Sequence, residues 1–172
     1  LESITIGKNV TSIGARAFQS CYYLESIVIP DNVTSVSYSV FNGCYNLTEV
    51  TLGKGLGSIG EYMFANCGSL PTVDIPDNIT SIGMHAFDGC SSLSTIIIPQ
   101  SVYSINYYVF NGCYNLTIYA EAESEPSGWF AWNKGNCPVV WGYHKHRYLN
   151  NVCTSCGHVK PDYSEGMNYT LS

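Results

Sequence analysis

Leucine returns every 23 residues along this chain. Leu1, Leu24, Leu47, Leu70, Leu93 and Leu116 stand at that spacing with no insertion between them. A strict period of this length selects a solenoid. One segment has too little apolar surface to fold alone, and stacked copies bury a shared core. Other positions keep step. The fourth holds Ile4, Ile27, Val50, Val73 and Ile96, and the thirteenth holds Ile13, Val36, Ile59, Ile82 and Ile105. The eighteenth is Phe at Phe18, Phe41, Phe64, Phe87 and Phe110, and the twenty-first is Cys at Cys21, Cys44, Cys67, Cys90 and Cys113.

Within one copy, Ser26-Ile27-Val28-Ile29 alternates polar and apolar residues and reads as a short half-buried strand. Pro30-Asp31-Asn32 reads as a turn, with proline setting φ and the Asx side chains closing on the backbone. Val33 to Val36 is a second extended piece. Gly14, Gly60 and Gly83 follow that piece in three copies, which predicts a positive φ there. The stretch before each Phe is too short for a stable α-helix, so a single helical or 3₁₀ turn is expected to close the coil. Successive strands then pair in parallel and the Phe column stacks. At the turn, Lys8, Asp31, Lys54 and Asp77 alternate in sign, which places opposite charges on neighbouring coils.

The periodic cysteines point the same way from successive coils, and a disulfide between them needs strained torsions. They read as buried free thiols acting as small apolar fillers. After Leu116 the repeat decays through the acidic stretch Glu121 to Pro126. Trp129, Phe130 and Trp132 fall near the place of a sixth Phe, and Cys137 continues the Cys column. Pro138-Val139-Val140-Trp141 reads as the strand of a truncated further coil. These aromatics suit a cap over the open end of a solenoid. A sugar-binding platform of Trp129 and Trp132 is the other reading.

The repeat LxxIxIPxxVTSIGxxAFxxC resembles the BspA-like leucine-rich repeats of bacterial cell-surface proteins. The resemblance covers residues 1 to about 115, and the segments around Trp129 and Trp141 resemble that family's C-terminal end. It implies a short-coil leucine-rich-repeat solenoid; with the residues read above, the expected fold is β-rich coils with short parallel strands and short helical or 3₁₀ turns, an aromatic C-terminal cap and a small Cys/His-containing tail. It also implies export and a surface that binds host or bacterial proteins. The repeat carries no catalytic residues. The expected organisation is five repeats over 1–115, a degenerate capping repeat over 116–142, and a Cys/His-rich tail over 143–172.

In that tail, His144 and His146 precede Cys153-Thr154-Ser155-Cys156-Gly157-His158. Cys153 and Cys156 bring two sulfurs toward one point, and His144, His146 and His158 supply imidazoles, a ligand set suited to zinc. A Cys153–Cys156 disulfide and two free thiols are the alternatives, so zinc is the one cofactor to consider.

A net charge of −6 argues against nucleic acid or an anionic membrane as partner. No apolar run is long enough to span a bilayer. The chain begins with Leu at the first repeat position, so its start reads as an end cut within the array, and absent targeting signals carry no weight. An open first coil invites end-to-end self-association.

Only 12% of residues are charged, and 14 are Tyr. Tyr22, Tyr38, Tyr45, Tyr62, Tyr107, Tyr108 and Tyr114 fall at positions that the core does not claim, and Tyr gives large contact area at low entropy cost. These tyrosines are the candidate ligand-binding surface, and His85 reads as an exposed side chain beside them. No Ser/His/Asp set, carboxylate pair or phosphate loop stands at a working spacing. The function expected is non-enzymatic: an extracellular protein-binding or adhesion module on a bacterial surface. The alternatives are a structural spacer displaying other domains, or a zinc-binding tail module carried on a repeat scaffold.

Overall fold

The computed structural model describes residues 3–129, 132, 137–144, 148, 149, 152 and 153. Each coil contributes two short strands, as the alternating pattern requires. The first column holds β1 (Ser3–Thr5), β3 (Ser26–Val28), β5 (Glu49–Thr51), β7 (Thr72–Asp74), β9 (Thr95–Ile98), β11 (Thr117–Ala120) and β12 (Val139–Val140). The second holds β2 (Ser12–Ile13), β4 (Ser35–Val36), β6 (Ser58–Ile59), β8 (Ser81–Ile82) and β10 (Ser104–Ile105). All these pairings are parallel and keep the sequence period. Ile27 pairs with Ile4 and Val50, and Ile96 pairs with Val73 and Ile118. The inward residues Ile27, Val50, Val73 and Ile96 are buried while Val28 and Thr51 face water.

The first column is hydrogen-bonded as β1-β3-β5 and as β7-β9-β11-β12. Pro71 sits at the seam. Thr48 and Ser94 each donate a backbone N–H to the coil before them, and proline at the equivalent place has none to donate.

Among the described residues the Phe turn is not a helix, although its i→i−3 bonds are present. Ala17, Gln19 and Cys21 donate to Gly14, Arg16 and Phe18. The alternate amides of Arg16, Phe18 and Ser20 reach the next coil, at the carbonyls of Tyr38, Val40 and Asn42. The turn therefore forms a third inter-coil ladder, and this demand on every second N–H is what breaks a helix. Two residues per coil take a left-handed φ to allow it. One set is Arg16, Ser39, Tyr62, His85 and Tyr108; the other is Ser20, Gly43, Asn66, Gly89 and Gly112. The expectation of positive φ at Gly14, Gly60 and Gly83 is thus corrected. Room explains glycine at Gly83, where a Cβ would come within 2.7 Å of the Glu61 backbone nitrogen.

The phenylalanines stand in single file. Centroid separations are 5.5 Å for Phe18–Phe41, 5.6 Å for Phe41–Phe64, 5.5 Å for Phe64–Phe87 and 5.8 Å for Phe87–Phe110. No pair is more than 15° from parallel. Beside this file, Cys44, Cys67, Cys90 and Cys113 are free and buried. They do more than fill space. Each donates its Sγ–H to the carbonyl of a Phe in the preceding coil, at 3.1–3.3 Å. At the turn, Asp31 is used by the backbone, its carboxylate accepting the Lys54 N–H at 2.7 Å. Asn32 and Asn78 donate their side-chain amides to the carbonyls of Val10 and Leu56, one coil back.

At the C-terminal end the aromatics close the core. Trp132 meets Phe110 edge-on at 6.3 Å, and Trp129 lies 5.0 Å from Trp132. Trp129 donates its indole N–H to Val102 and Trp132 donates to Glu125, both at 3.1 Å. Both indoles are buried at 2% exposure, so the sugar-platform reading is overturned: neither ring offers a face to solvent. Phe130 lies outside the described residues. At the other end, Ile4, Ile6, Val10 and Phe18 are only partly buried and line an apolar depression. Beyond the cap, β13 (Tyr148–Leu149) and β14 (Val152–Cys153) pair antiparallel.

Candidate contact surface

The left-handed backbone at Arg16, Ser39, Tyr62, His85 and Tyr108 aligns these residues in one file along the turns. In coils three to five that file is aromatic. Tyr62 stacks on His85 at 4.8 Å and 8°, and His85 stacks on Tyr108 at 5.2 Å and 20°. Tyr107 leans on Tyr108 at 6.4 Å. In the first two coils, the Arg16 guanidinium lies over the Tyr38 ring, 5.3 Å from its centroid. After the Cys column a separate pair forms, Tyr22 on Tyr45 at 5.5 Å and 12°.

The seven tyrosines named from the sequence therefore divide. Tyr62 and Tyr108 share one stack with Tyr107 beside them, Tyr22 and Tyr45 make a second, and Tyr38 is held by Arg16. Tyr114 is 89% exposed. Gly68 and Ser91 occupy its column in the two preceding coils, which separates it from Tyr45.

His85 departs from its sequence reading. It is half buried, with its side chain between two phenol rings. Its Nδ1 lies 2.8 Å from Asp88 Oδ2, and the other oxygen of Asp88 accepts from Asn111 Nδ2 at 2.8 Å. Sequence could have found it, because the 23-residue period puts His85 directly between Tyr62 and Tyr108.

The buried thiols are chemically quiet. Burial pushes the Cys44 thiol up from 9.0 to about 11 and that of Cys113 to about 12, and raises Cys67 and Cys90 as well. A protonated thiol is the species that donates to the Phe carbonyl. In the tail, His144 Nε2 lies 3.7 Å from Glu123 Oε1. Cys153 is placed by β14, while His146, Cys156 and His158 lie outside the described residues. Among the described residues no group of three or more His, Cys, Asp or Glu side chains gathers into a metal site. No helix among them is long and apolar enough to cross a membrane.

Short parallel strands on a fixed period, one Phe file and an aromatic cap define a leucine-rich-repeat solenoid, a scaffold typical of protein interaction. The chain belongs to the BspA type leucine-rich-repeat family, whose profile matches six copies over residues 1–117. Three solved structures resemble it. A leucine-rich cell surface protein of Faecalibacterium prausnitzii shares 37% identity and a TM-score of 0.66, over 73% of this chain and 33% of that one. A leucine-rich-repeat protein of Bacteroides ovatus shares 30% identity and a TM-score of 0.66, over 80% of this chain and 41% of that one. A leucine-rich-repeat protein of T. pallidum shares 26% identity and a TM-score of 0.67, over 78% of this chain and 64% of that one. The chain thus spans a third of the length of the Faecalibacterium protein. No curated protein matches it in sequence.

Proposed function

We propose that this chain is a non-enzymatic recognition module that contacts host or bacterial surface proteins from outside the bacterial cell. The observation that carries this is the exposed tyrosine on a rigid scaffold. Tyr22 and Tyr45 are each about half exposed while stacked on one another, and Tyr107 and Tyr108 stay similarly open beside the second stack. Rings held by stacking have already lost their rotamer freedom, so a partner meets preorganised area. The family and the cell-surface description of the Faecalibacterium protein agree with a place outside the cell.

The test is a triple Tyr22→Ser, Tyr45→Ser, Tyr107→Ser variant assayed against immobilised host-cell and bacterial surface proteins. A recognition module loses binding with its melting temperature nearly unchanged. Binding that survives the three changes supports a spacer instead. The same scaffold suits that role, since coils without insertion build a stiff rod.

A further inference from the structure

We infer that the Tyr62–His85–Tyr108 stack is the anchor of the contact face and receives an arginine of a basic partner segment, with His85 Nε2 as the accepting atom. The inference rests on the protein-contact reading above and names the partner's chemistry.

The two left-handed files of the Phe turn show why this one stands out. A left-handed φ is costly for residues with a Cβ. The file at Ser20, Gly43, Asn66, Gly89 and Gly112 is glycine in three coils and asparagine in a fourth, residues that tolerate it. The file at Arg16, Ser39, Tyr62, His85 and Tyr108 carries four bulky side chains at the same cost. Strain of this kind is kept where the side chain has a task.

Hydrogen bonding orients the His85 ring. An ionised carboxylate only accepts, so the 2.8 Å contact to Asp88 puts the ring proton on Nδ1. Asn111 holds the other carboxylate oxygen and keeps Asp88 from turning away. In the neutral ring Nε2 is then an acceptor, flanked by two phenol rings about one coil away on either side.

An acceptor beside aromatic rings suits a planar cation that both donates and stacks, which is arginine rather than lysine. The molecule already shows this contact, with Arg16 lying over Tyr38 at 5.3 Å. The surroundings favour a cation too. Residues 3–129 hold three cationic side chains, Lys8, Arg16 and Lys54, against ten carboxylates. Glu61, exposed next to Tyr62, is one of them. Such a field draws in a basic partner.

The experiment measures fluorescence anisotropy of labelled ten-residue peptides, alternating Gly-Arg, Gly-Lys and Gly-Glu, on the full chain at low ionic strength. The arginine peptide binds tightest and the glutamate peptide does not bind. His85→Phe keeps an aromatic ring in the stack but removes Nε2; it weakens the arginine peptide about tenfold or more. His85→Gln restores an acceptor and recovers part of that loss. Equal binding of the arginine and lysine peptides, no arginine binding, or an unchanged affinity in His85→Phe overturns the inference. Such a failure beside intact Tyr-dependent capture of surface proteins removes this inference alone and leaves the recognition reading standing.

Discussion

Cys90 donates its Sγ–H to the backbone carbonyl of Phe64, one coil earlier, at 3.1 Å. The same bond joins Cys67 to Phe41 and Cys113 to Phe87. The Phe64 carbonyl also accepts the Cys67 N–H, so the thiol adds a second bond across the coil boundary. A residue in this column must be small, mostly apolar and still able to donate, and cysteine meets all three needs. Cys90→Ala removes the sulfur and the bond together. The expected loss is about 1–3 kcal/mol, from a small cavity and one missing donor. Urea denaturation of parent and variant measures it.

The thiol column also makes stability depend on pH. The native pKa of Cys44 lies near 11 and that of Cys113 near 12, both raised by burial above the ordinary 9.0. A raised native pKa means that the fold favours the protonated thiol. The contribution is complete below pH 9, where unfolded thiols are protonated too, and it is lost as pH rises toward 11. The melting temperature should fall across that interval. A Cys44→Ala, Cys113→Ala variant should start lower at pH 7 and fall less steeply between pH 9 and 11. Parallel curves for the two proteins would remove the thiols as the cause.

Gly128 stands at the entry to the cap. A Cβ there would come within 2.1 Å of the Tyr103 carbonyl oxygen, and the Gly128 carbonyl accepts the Ile105 N–H. The obstacle is backbone and cannot rotate away. Gly128→Ala should therefore displace Trp129, whose indole N–H bonds Val102 in the preceding coil. The expected cost is at least about 2 kcal/mol. A red shift of tryptophan emission under native conditions checks it.

Much of this architecture is legible in the period alone. The register of every described coil, the Phe file and the buried cysteines follow from spacing, because identical coils must put equivalent side chains together. The glycine expectation fails for a physical reason. Glycine at position 14 of the coil suggests a special φ, yet Gly83 is there for room beside Glu61, and the left-handed residues are Tyr62 and His85. Spacing says which residues are neighbours but not which backbone amides must cross to the next coil, and that requirement sets φ. A lone histidine says little until its column is read, and the 23-residue period then places His85 between Tyr62 and Tyr108. The tyrosines divide because Tyr62 and Tyr108 stand in one column of the coil and Tyr22 and Tyr45 in another, where Gly68 and Ser91 leave Tyr114 by itself.

The measurement that bears most directly on the stacked-coil account is the stability of Phe64→Ala. Phe64 is fully buried, with Phe41 5.6 Å to one side and Phe87 5.5 Å to the other. Removing its ring opens a cavity in mid-column and breaks two stacking contacts. The account predicts a loss of about 3–5 kcal/mol by equilibrium urea denaturation, followed by far-ultraviolet circular dichroism and by emission from the tryptophan cap. A midpoint indistinguishable from that of the parent would contradict it.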